Sequence, residues 1–356
     1  MDRLQAQIGE QAAAGGGAAP GGETAGDHAG GAVSVGEAGC NGTPGPIMRD
    51  AVLGLCVLGS GSSGNCSVLV LPSTPGSALN RGVVLIDCGF SPKKTFGMLA
   101  RVGVKPWEID DVVLTHLDRD HAHPGWFSRS LGADLRFRVH LHRRHLGRAE
   151  RDGLVHRRTE VFEDRVELER CAAGVCMQAH DSLGVAAFRF ERESPWSPGS
   201  SAHLGFATDL GRVTPELLGA MRGVDALAIE SNYCPEMQRA STRPAFLKRR
   251  ITGGAGHLSN EECADTVARI SPREHAVFLH LSRECNRAAL VSRLHEGADY
   301  AFTIAEQYRP TRWVGVRGRP RVSGSLEGKP ATVGRVCQTL PLRSRGLFGR
   351  KSVLET

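Results

Sequence analysis

The feature that most constrains the fold is a short apolar run that ends in a cluster of histidines and aspartates. Residues 112–114 are typical of a buried β-strand, because all three are apolar and two are β-branched. Four polar side chains follow almost directly: His116, Asp118, Asp120 and His121. Imidazole and carboxylate groups together are ligands for zinc, manganese or iron. The sequence therefore predicts a metal site, with a solvated loop of mutually paired side chains as the alternative.

Composition limits the other classes of protein. A chain of 356 residues with 40% hydrophobic residues can bury a sizeable core. No apolar run approaches the roughly 20 residues of a membrane span, and the first residues lack the apolar segment of a secretory signal. Ten cysteines occur without a Cys-x-x-Cys pair. We therefore expect a cytoplasmic protein with reduced, structural cysteines and no membrane association.

The two ends of the chain differ from its middle. Residues 1–48 are rich in glycine and alanine and are expected to be disordered, because they cannot bury enough apolar surface. From residue 301 onward, eleven Lys and Arg against three Glu give a charge of +8, which leaves −2 for the rest. We expect a folded domain over residues 49–310 and a basic, flexible tail over residues 311–356.

Strands and helices alternate in the predicted domain. Strands are expected at residues 52–58, 68–71, 83–86 and 109–114, and a helix at residues 91–102 begins with Ser91 as N-cap. This alternation favours an α/β layered fold. The Gly- and Ser-rich segment before the second strand lacks the lysine of a phosphate-binding loop, so a hairpin-like connection is the preferred interpretation.

Further polar residues follow predicted strands or open loops. They are Asp87, His180, Asp209, His257 and His280. Taken alone, Asp87 is better explained as a turn residue. However, the carboxyl ends of neighbouring strands in an α/β sheet open onto one crevice, so these side chains could meet the first cluster. The residues alone therefore predict a metal-dependent hydrolase.

Three other histidines also form a cluster, namely His140, His142 and His145. Five arginines surround them in the sequence, and such a segment is typical of an exposed basic strand and turn. We therefore do not expect these histidines to bind metal.

The ordered pattern resembles the metallo-β-lactamase superfamily, an αββα sandwich marked by an Asp, then His-x-His-x-Asp-His, then a His, an Asp and a final His. It is more closely similar to the WalJ-type (YycJ-like) branch, related to the RNase Z-like phosphodiesterases and known for 5′-to-3′ exonuclease activity on DNA. The matching segments are residues 60–65, 86–89, 208–209, 230–232, 250–251, 256–260 and 280–282, with Lys248, Glu284 and Asn286. The resemblance covers residues 52–310.

The resemblance implies two divalent metal ions, zinc or manganese. It assigns the first ion to His116, Asp118 and His180, the second to Asp120, His121 and His280, and a bridging role to Asp209. Asp87 would orient a ligating histidine. A hydroxide between the ions would attack phosphorus, with Asp120 and His257 as catalytic residues and His257 as the general acid. The remaining implied contacts, to substrate, are Lys248, Arg250, Ser259 and Asn260.

Two positions depart from the family pattern. Asp118 stands where the family has the second histidine of His-x-His-x-Asp-His. A third carboxylate leaves less positive charge on two divalent ions and shifts metal preference from zinc toward manganese or magnesium. We expect an altered metal rather than a lost site, and replacement of the imidazole by His123 is the less favoured alternative. Tyr233 and Cys234 stand where the closer branch tends to have His-Asp.

The residue pattern and the resemblance together predict a metal-dependent phosphodiesterase of nucleic acid, best interpreted as a 5′-to-3′ DNA exonuclease. Two alternatives stay open at this point. One is a hydrolase of the same fold that acts on a small ester, thioester or lactone. The other is a nucleic-acid-binding protein with a degraded metal site that uses its basic tail.

Overall fold

The computed structural model describes residues 50–73, 81–129, 131 and 135–320. Within these residues, a pair of β-sheets face each other and helices cover their outer surfaces, which confirms the predicted αββα arrangement. The segment predicted to be disordered, residues 1–48, lies outside the described residues. No helix among the residues described has the length and apolar character needed to cross a membrane.

The first sheet combines an antiparallel half with a parallel half. Its strands are β1 (Ala51–Gly59), β2 (Cys66–Leu71), β3 (Gly82–Ile86), β4 (Asp111–Val113), β5 (Arg138–His142), β6 (Thr159–Phe162) and β14 (Val314–Arg317). The strand order is β14-β1-β2-β3-β4-β5-β6. Pairs from β14 to β3 run antiparallel, and pairs from β3 to β6 run parallel.

The second sheet has the same division. Its strands are β7 (Arg165–Glu167), β8 (Ala172–Gln178), β9 (Val185–Glu193), β10 (Ser200–Ala207), β11 (Ala226–Glu230), β12 (His275–Leu279), β13 (Ala301–Ile304) and β15 (Arg319–Pro320). The order is β13-β12-β11-β10-β9-β8-β7, and β15 pairs with β10. Strands β10 to β13 are parallel, so their carboxyl ends share one edge.

Three buried clusters hold the layers together. The cluster between the sheets includes Leu55, Phe188 and Phe190. Helices α1 (Pro92–Arg101) and α2 (Leu146–Asp152) contribute Met98 and Ala149 to the cluster on the outer face of the first sheet. The second sheet is covered by α3 (Pro215–Met221), α6 (Asn260–Ile270) and α7 (Ala288–Leu294), while α4 (Pro235–Ala240) and α5 (Ala245–Thr252) lie between α3 and α6 in the chain.

The predicted local structure is confirmed at several points. Ser91 caps α1 by accepting a hydrogen bond from the Lys94 amide, and Pro92 occupies the first turn. Outside these predictions, Ser259 caps α6 in a capping box with Glu262. The Gly- and Ser-rich segment joins the antiparallel strands β1 and β2, as expected of a hairpin-like connection.

The prediction that His140, His142 and His145 are exposed is wrong, since all three are buried. The reason is that β5 is an interior strand between β4 and β6. His140 Nε2 lies 2.7 Å from Asp111 Oδ1, and Arg138 donates to the same carboxylate, so this buried charge is paired. Burial lowers the pKa of His145 to about 4.

The predicted start of the flexible tail at residue 311 is also wrong. Strand β14 pairs with β1, β15 pairs with β10, and the Thr311 amide donates to the Val57 carbonyl at 2.9 Å. Val314 and Val316 point inward with the strand period of two and are buried. The folded domain therefore extends at least to residue 320, and residues 321–356 lie outside the described residues.

Truncated chains can test whether the folded domain ends at residue 310, as predicted from the sequence, or extends to residue 320. A chain ending at residue 310 loses two buried valines, each of which stabilises by about 1.5–3 kcal/mol, and leaves the edge of β1 unpaired. We expect its free energy of unfolding in urea to fall by about 3–6 kcal/mol. A chain ending at residue 320 is the matched control and should be more stable than the chain ending at residue 310. Equal stability of both truncated chains would contradict the role of β14.

Candidate metal centre

Three site residues lie just beyond strand ends in an unusual backbone conformation. Asp87 follows β3 directly, His280 follows β12 directly, and Asp209 follows β10 by one residue. Their φ angles are 60°, 55° and 52°, in the left-handed region that non-glycine residues rarely adopt. Among the described residues, one other non-glycine residue, Ser271, has positive φ. Such strain costs of order 1–3 kcal/mol and is typical of functional sites.

The first predicted ligand group comes together as expected. His116, Asp118 and His180 each place one potential ligand atom within 4.8 Å of the others. Asp118 Oδ2 lies 3.8 Å from His116 Nε2 and 3.8 Å from His180 Nε2. These separations are too long for hydrogen bonds. They are close to the distance of about 3.4 Å between donor atoms that share a tetrahedral ion at about 2.0–2.1 Å.

The second predicted group has the same geometry. Asp120 Oδ2 lies 3.8 Å from His121 Nε2 and 3.7 Å from His280 Nε2. Asp209 joins the two groups, because it forms a further possible ligand group with His116 and His121, and its Oδ2 lies 2.9 Å from His121 Nε2. The structure thus brings together all seven residues predicted to bind metal.

Each of the four histidines has its Nδ1 atom occupied by another group. The Nδ1 partners are Thr115 Oγ1 for His116 at 3.0 Å, Asp87 Oδ2 for His121 at 2.7 Å, Gly256 O for His180 at 3.2 Å and Glu230 Oε1 for His280 at 3.2 Å. This arrangement leaves Nε2 of each ring facing the site, where Nε2 of His121 also lies 2.9 Å from Asp209 Oδ2 and 3.0 Å from the Asn65 side-chain nitrogen. Nε2 of His116 and Nε2 of His280 are buried without any hydrogen-bond partner. A bound cation would satisfy both, so the residues fit a metal ion.

The electrostatics of the site favour cations. Burial and the neighbouring His121 hold the pKa of His116 well below its usual value. Burial also disfavours the charged form of His280, but Asp209, Asp120 and Glu230 outweigh it and raise the pKa of His280 to about 10. For the Asp209 carboxyl, His280 and His121 outweigh burial and lower the pKa well below the usual range. The carboxylates around the second group therefore stabilise positive charge at this point.

Glu230 is a site residue whose role the sequence did not reveal. It is the last residue of β11, is fully buried, and its Oε1 lies 2.7 Å from His257 Nδ1. Its Oε2 accepts a hydrogen bond from the Leu210 amide at 2.7 Å. Glu230 belongs to a further possible ligand group with Asp209, His257 and His280, but both of its oxygens are hydrogen-bonded within the protein, to His257 and to Leu210. Its position at a strand end was the available signal.

A cleft of about 420 Å³ opens at these strand ends. Its walls include Asp118, Asp120, His180, Asp209, His257 and His280. Two arginines, Arg243 and Arg250, line the same cleft. Arg243 donates to Glu284 at 2.9 Å and to Ser282 at 3.2 Å, which fixes its position. The cleft thus places possible metal ligands beside positive side chains that suit an anionic substrate.

Comparison with known proteins identifies the family. A model of the β-lactamase superfamily domain matches residues 83–281, more than half of the chain. The chain belongs to the metallo-β-lactamase superfamily.

Relatives within this superfamily carry nuclease names. Exodeoxyribonuclease WalJ of Streptococcus pneumoniae is 30% identical over 241 residues, which are 65% of this chain and 82% of that protein. Exodeoxyribonuclease YycJ of Bacillus anthracis is 26% identical over 246 residues, 66% of this chain and 84% of the relative. Zn²⁺-bound PqqB of Methylobacterium extorquens superposes with a TM-score of 0.53 at 16% identity over 72% of this chain and 99% of PqqB, a likeness of fold.

Two of the predicted substrate contacts have side chains that are hydrogen-bonded within the protein. Ser259 uses its hydroxyl to cap α6, and Asn260 is buried with its amide bonded to Asn286 and Ser231. Both side chains therefore stabilise the loop that carries His257 and do not line the cleft.

The other predicted contacts and the alternative ligand are placed as follows. Arg250 lines the cleft, whereas Lys248 does not and donates instead to the Arg239 carbonyl at 2.7 Å. His123 Nδ1 accepts a hydrogen bond from the Gly125 amide, and His123 belongs to none of the possible ligand groups among the described residues. The interpretation of His123 as the replacement ligand is therefore not supported.

Gly89 provides a test of how closely the metal centre is packed. A Cβ atom at Gly89 would lie 1.7 Å from the Asp120 carbonyl oxygen, so the alanine variant must displace the backbone that carries Asp120. We expect Gly89→Ala to lower the free energy of unfolding by about 1–3 kcal/mol or more and to reduce metal content. Gly97→Ala is the matched control, because nothing lies near its Cβ and alanine favours helix α1 by about 0.5–1 kcal/mol. Normal metal content in Gly89→Ala would contradict this packing.

Proposed function

We propose that this protein is a metal-dependent phosphodiesterase that degrades DNA from the 5′ end. The observation that carries the proposal is the single cleft in which two possible metal-binding groups, joined by Asp209, lie beside Arg243 and Arg250. The names of the WalJ and YycJ relatives support DNA as the substrate.

We assign two divalent ions, zinc or manganese, to the two groups. His116, Asp118 and His180 would hold one ion, Asp120, His121 and His280 the other, and Asp209 both. Such ions supply Lewis-acid stabilisation of phosphoryl charge and an activated water. Asp87 would act on the ligands indirectly, because it accepts from the Thr115 amide and hydroxyl and lies against His121.

The His257–Glu230 pair is suited to proton transfer. Because Glu230 holds Nδ1 of His257, Nε2 is the nitrogen left to donate a proton to the leaving oxygen. His257 lines the cleft and its side chain is 21% exposed, so a substrate can contact it. Glu230 would fix the tautomer and the ring orientation, as carboxylate partners of catalytic histidines do.

The polarity of DNA degradation and its dependence on metal can both be measured with end-labelled linear DNA. The full chain with Mn²⁺ or Zn²⁺ should release a 5′ label as mononucleotide before it shortens the end bearing a 3′ label, and EDTA should abolish both. Circular DNA without nicks is the control substrate and should stay intact. Cleavage of circular DNA, or release of the 3′ label first, would contradict the proposed action.

Two substitutions test the chemistry. Asp209→Ala should abolish cleavage and lower metal content, since it removes the residue shared by both groups. His257→Ala should reduce kcat by about 10²–10⁴-fold with metal content unchanged, because it removes proton transfer alone. Wild-type kcat in His257→Ala would exclude His257 as the general acid.

Neighbouring arginines test the phosphate contact. Arg250→Ala should raise KM for DNA severalfold and weaken its dependence on salt, because Arg250 lines the cleft. Arg249→Ala is the control, since Arg249 is exposed but does not line the cleft. Equal effects of both substitutions would indicate general attraction to DNA and would contradict a specific role of Arg250.

A further inference from the structure

The two carboxylate oxygens of Asp118 have different partners. Oδ1 accepts a hydrogen bond from Arg148 Nη1 at 3.0 Å. Oδ2 lies at equal distances of 3.8 Å from His116 Nε2 and His180 Nε2. One oxygen is therefore held by a cation of the protein, and the other points to where the first ligand group converges.

Arg148 is itself held in place by several neighbours. It lies in α2, and its Nη2 donates to the Leu117 carbonyl at 3.2 Å. It also forms ion pairs with Asp181 at 3.5 Å and with Asp152, one helical turn away, at 3.4 Å. The guanidinium thus contacts both the carboxylate and the backbone just before it, which restricts rotation of the Asp118 side chain.

Asp118 needs such a restraint more than the histidines around it. Its side chain is 31% exposed, whereas that of His116 is 1% exposed. A partly exposed carboxylate is free to turn toward water or to present both oxygens, whereas the buried ring of His116 is held by packing and by its Nδ1 contact to Thr115 Oγ1. The carboxylate also adds a negative charge that a histidine at this position would not, and Arg148 supplies a nearby positive charge that offsets it.

We propose that Arg148 is a positioning residue that makes Asp118 a one-oxygen ligand in place of the histidine that the superfamily pattern has there. By holding Oδ1, Arg148 leaves Oδ2 as the donor to the ion shared with His116 and His180. The proposal rests on the metal centre assigned under the proposed function. It implies that the requirement for Arg148 exists because residue 118 is an aspartate.

A double-mutant cycle tests this dependence through metal affinity, without an activity assay. The full chain and its variants are titrated with Zn²⁺ and Mn²⁺ against a chromophoric chelator. Arg148→Met should weaken one of the two bound ions by about 10–100-fold and leave the other unchanged. In the Asp118→His background the same change should alter affinity less than about twofold, since an imidazole has no free oxygen to orient. Arg151→Met, on the same helix with its side chain 72% exposed, is the matched control and should change neither ion.

The possible results distinguish failure of the role proposed for Arg148 from failure of the proposed metal centre. If the wild-type chain binds no metal, the proposed metal centre fails. If it binds two ions and Arg148→Met binds both equally well, or loses affinity equally in both backgrounds, the positioning role is wrong and the metal centre stands. Arg148→Lys keeps the charge but cannot donate to both Asp118 and Leu117, and it should still weaken one ion by at least threefold. Wild-type affinity in Arg148→Lys would overturn the role of the guanidinium geometry.

Discussion

The structure depends on the mutual attraction of carboxylates and imidazoles that are buried together at one edge of two sheets. Asp209, His121 and His280 are almost completely buried, and isolated charges in such a position are strongly unfavourable. Their opposite charges and the fixed Nδ1 partners of the histidines do not offset this cost completely, because the Nε2 atoms of His116 and His280 stay without a partner. A bound cation would contact these Nε2 atoms and balance the charge of the buried carboxylates.

The topology explains how distant residues reach this point. Each sheet has a parallel half, and the carboxyl ends of its strands lie at one edge. The residues that follow β3 and β4 in one sheet and β10, β11 and β12 in the other therefore lie close together. The left-handed backbone conformation of Asp87, Asp209 and His280 helps to place their side chains at the site. The hairpin between β1 and β2 supports it, since Ser60 Oγ accepts from the His280 amide and the Asn65 amide nitrogen donates to the Asp120 carbonyl. The free-energy cost of the strained backbone is thus offset by the packing of the sandwich around it.

Local sequence patterns indicate the candidate ligands, whereas contacts between residues distant in the sequence are not visible in such patterns. His116, Asp209 and His280 each follow a short apolar strand, a signal visible within ten residues of sequence. The pairing of Arg148 with Asp118 spans 30 residues, and that of Glu230 with His280 spans 50, so neither is marked by spacing. The pairing of β14 with β1 is likewise not visible in local sequence, because the two strands lie at opposite ends of the domain. The flanking arginines predict an exposed His140, whereas the interior parallel strand β5 buries it.

The metal centre proposed for this cleft consists of two divalent ions with Asp209 between them. Anomalous diffraction from crystals of the full chain, recorded at the zinc and manganese absorption edges, would locate such ions individually. We expect two peaks, one among His116, Asp118 and His180 and the other among Asp120, His121 and His280. A single peak, or two peaks with Asp118 turned away from the nearer one, would show that the proposed centre is wrong.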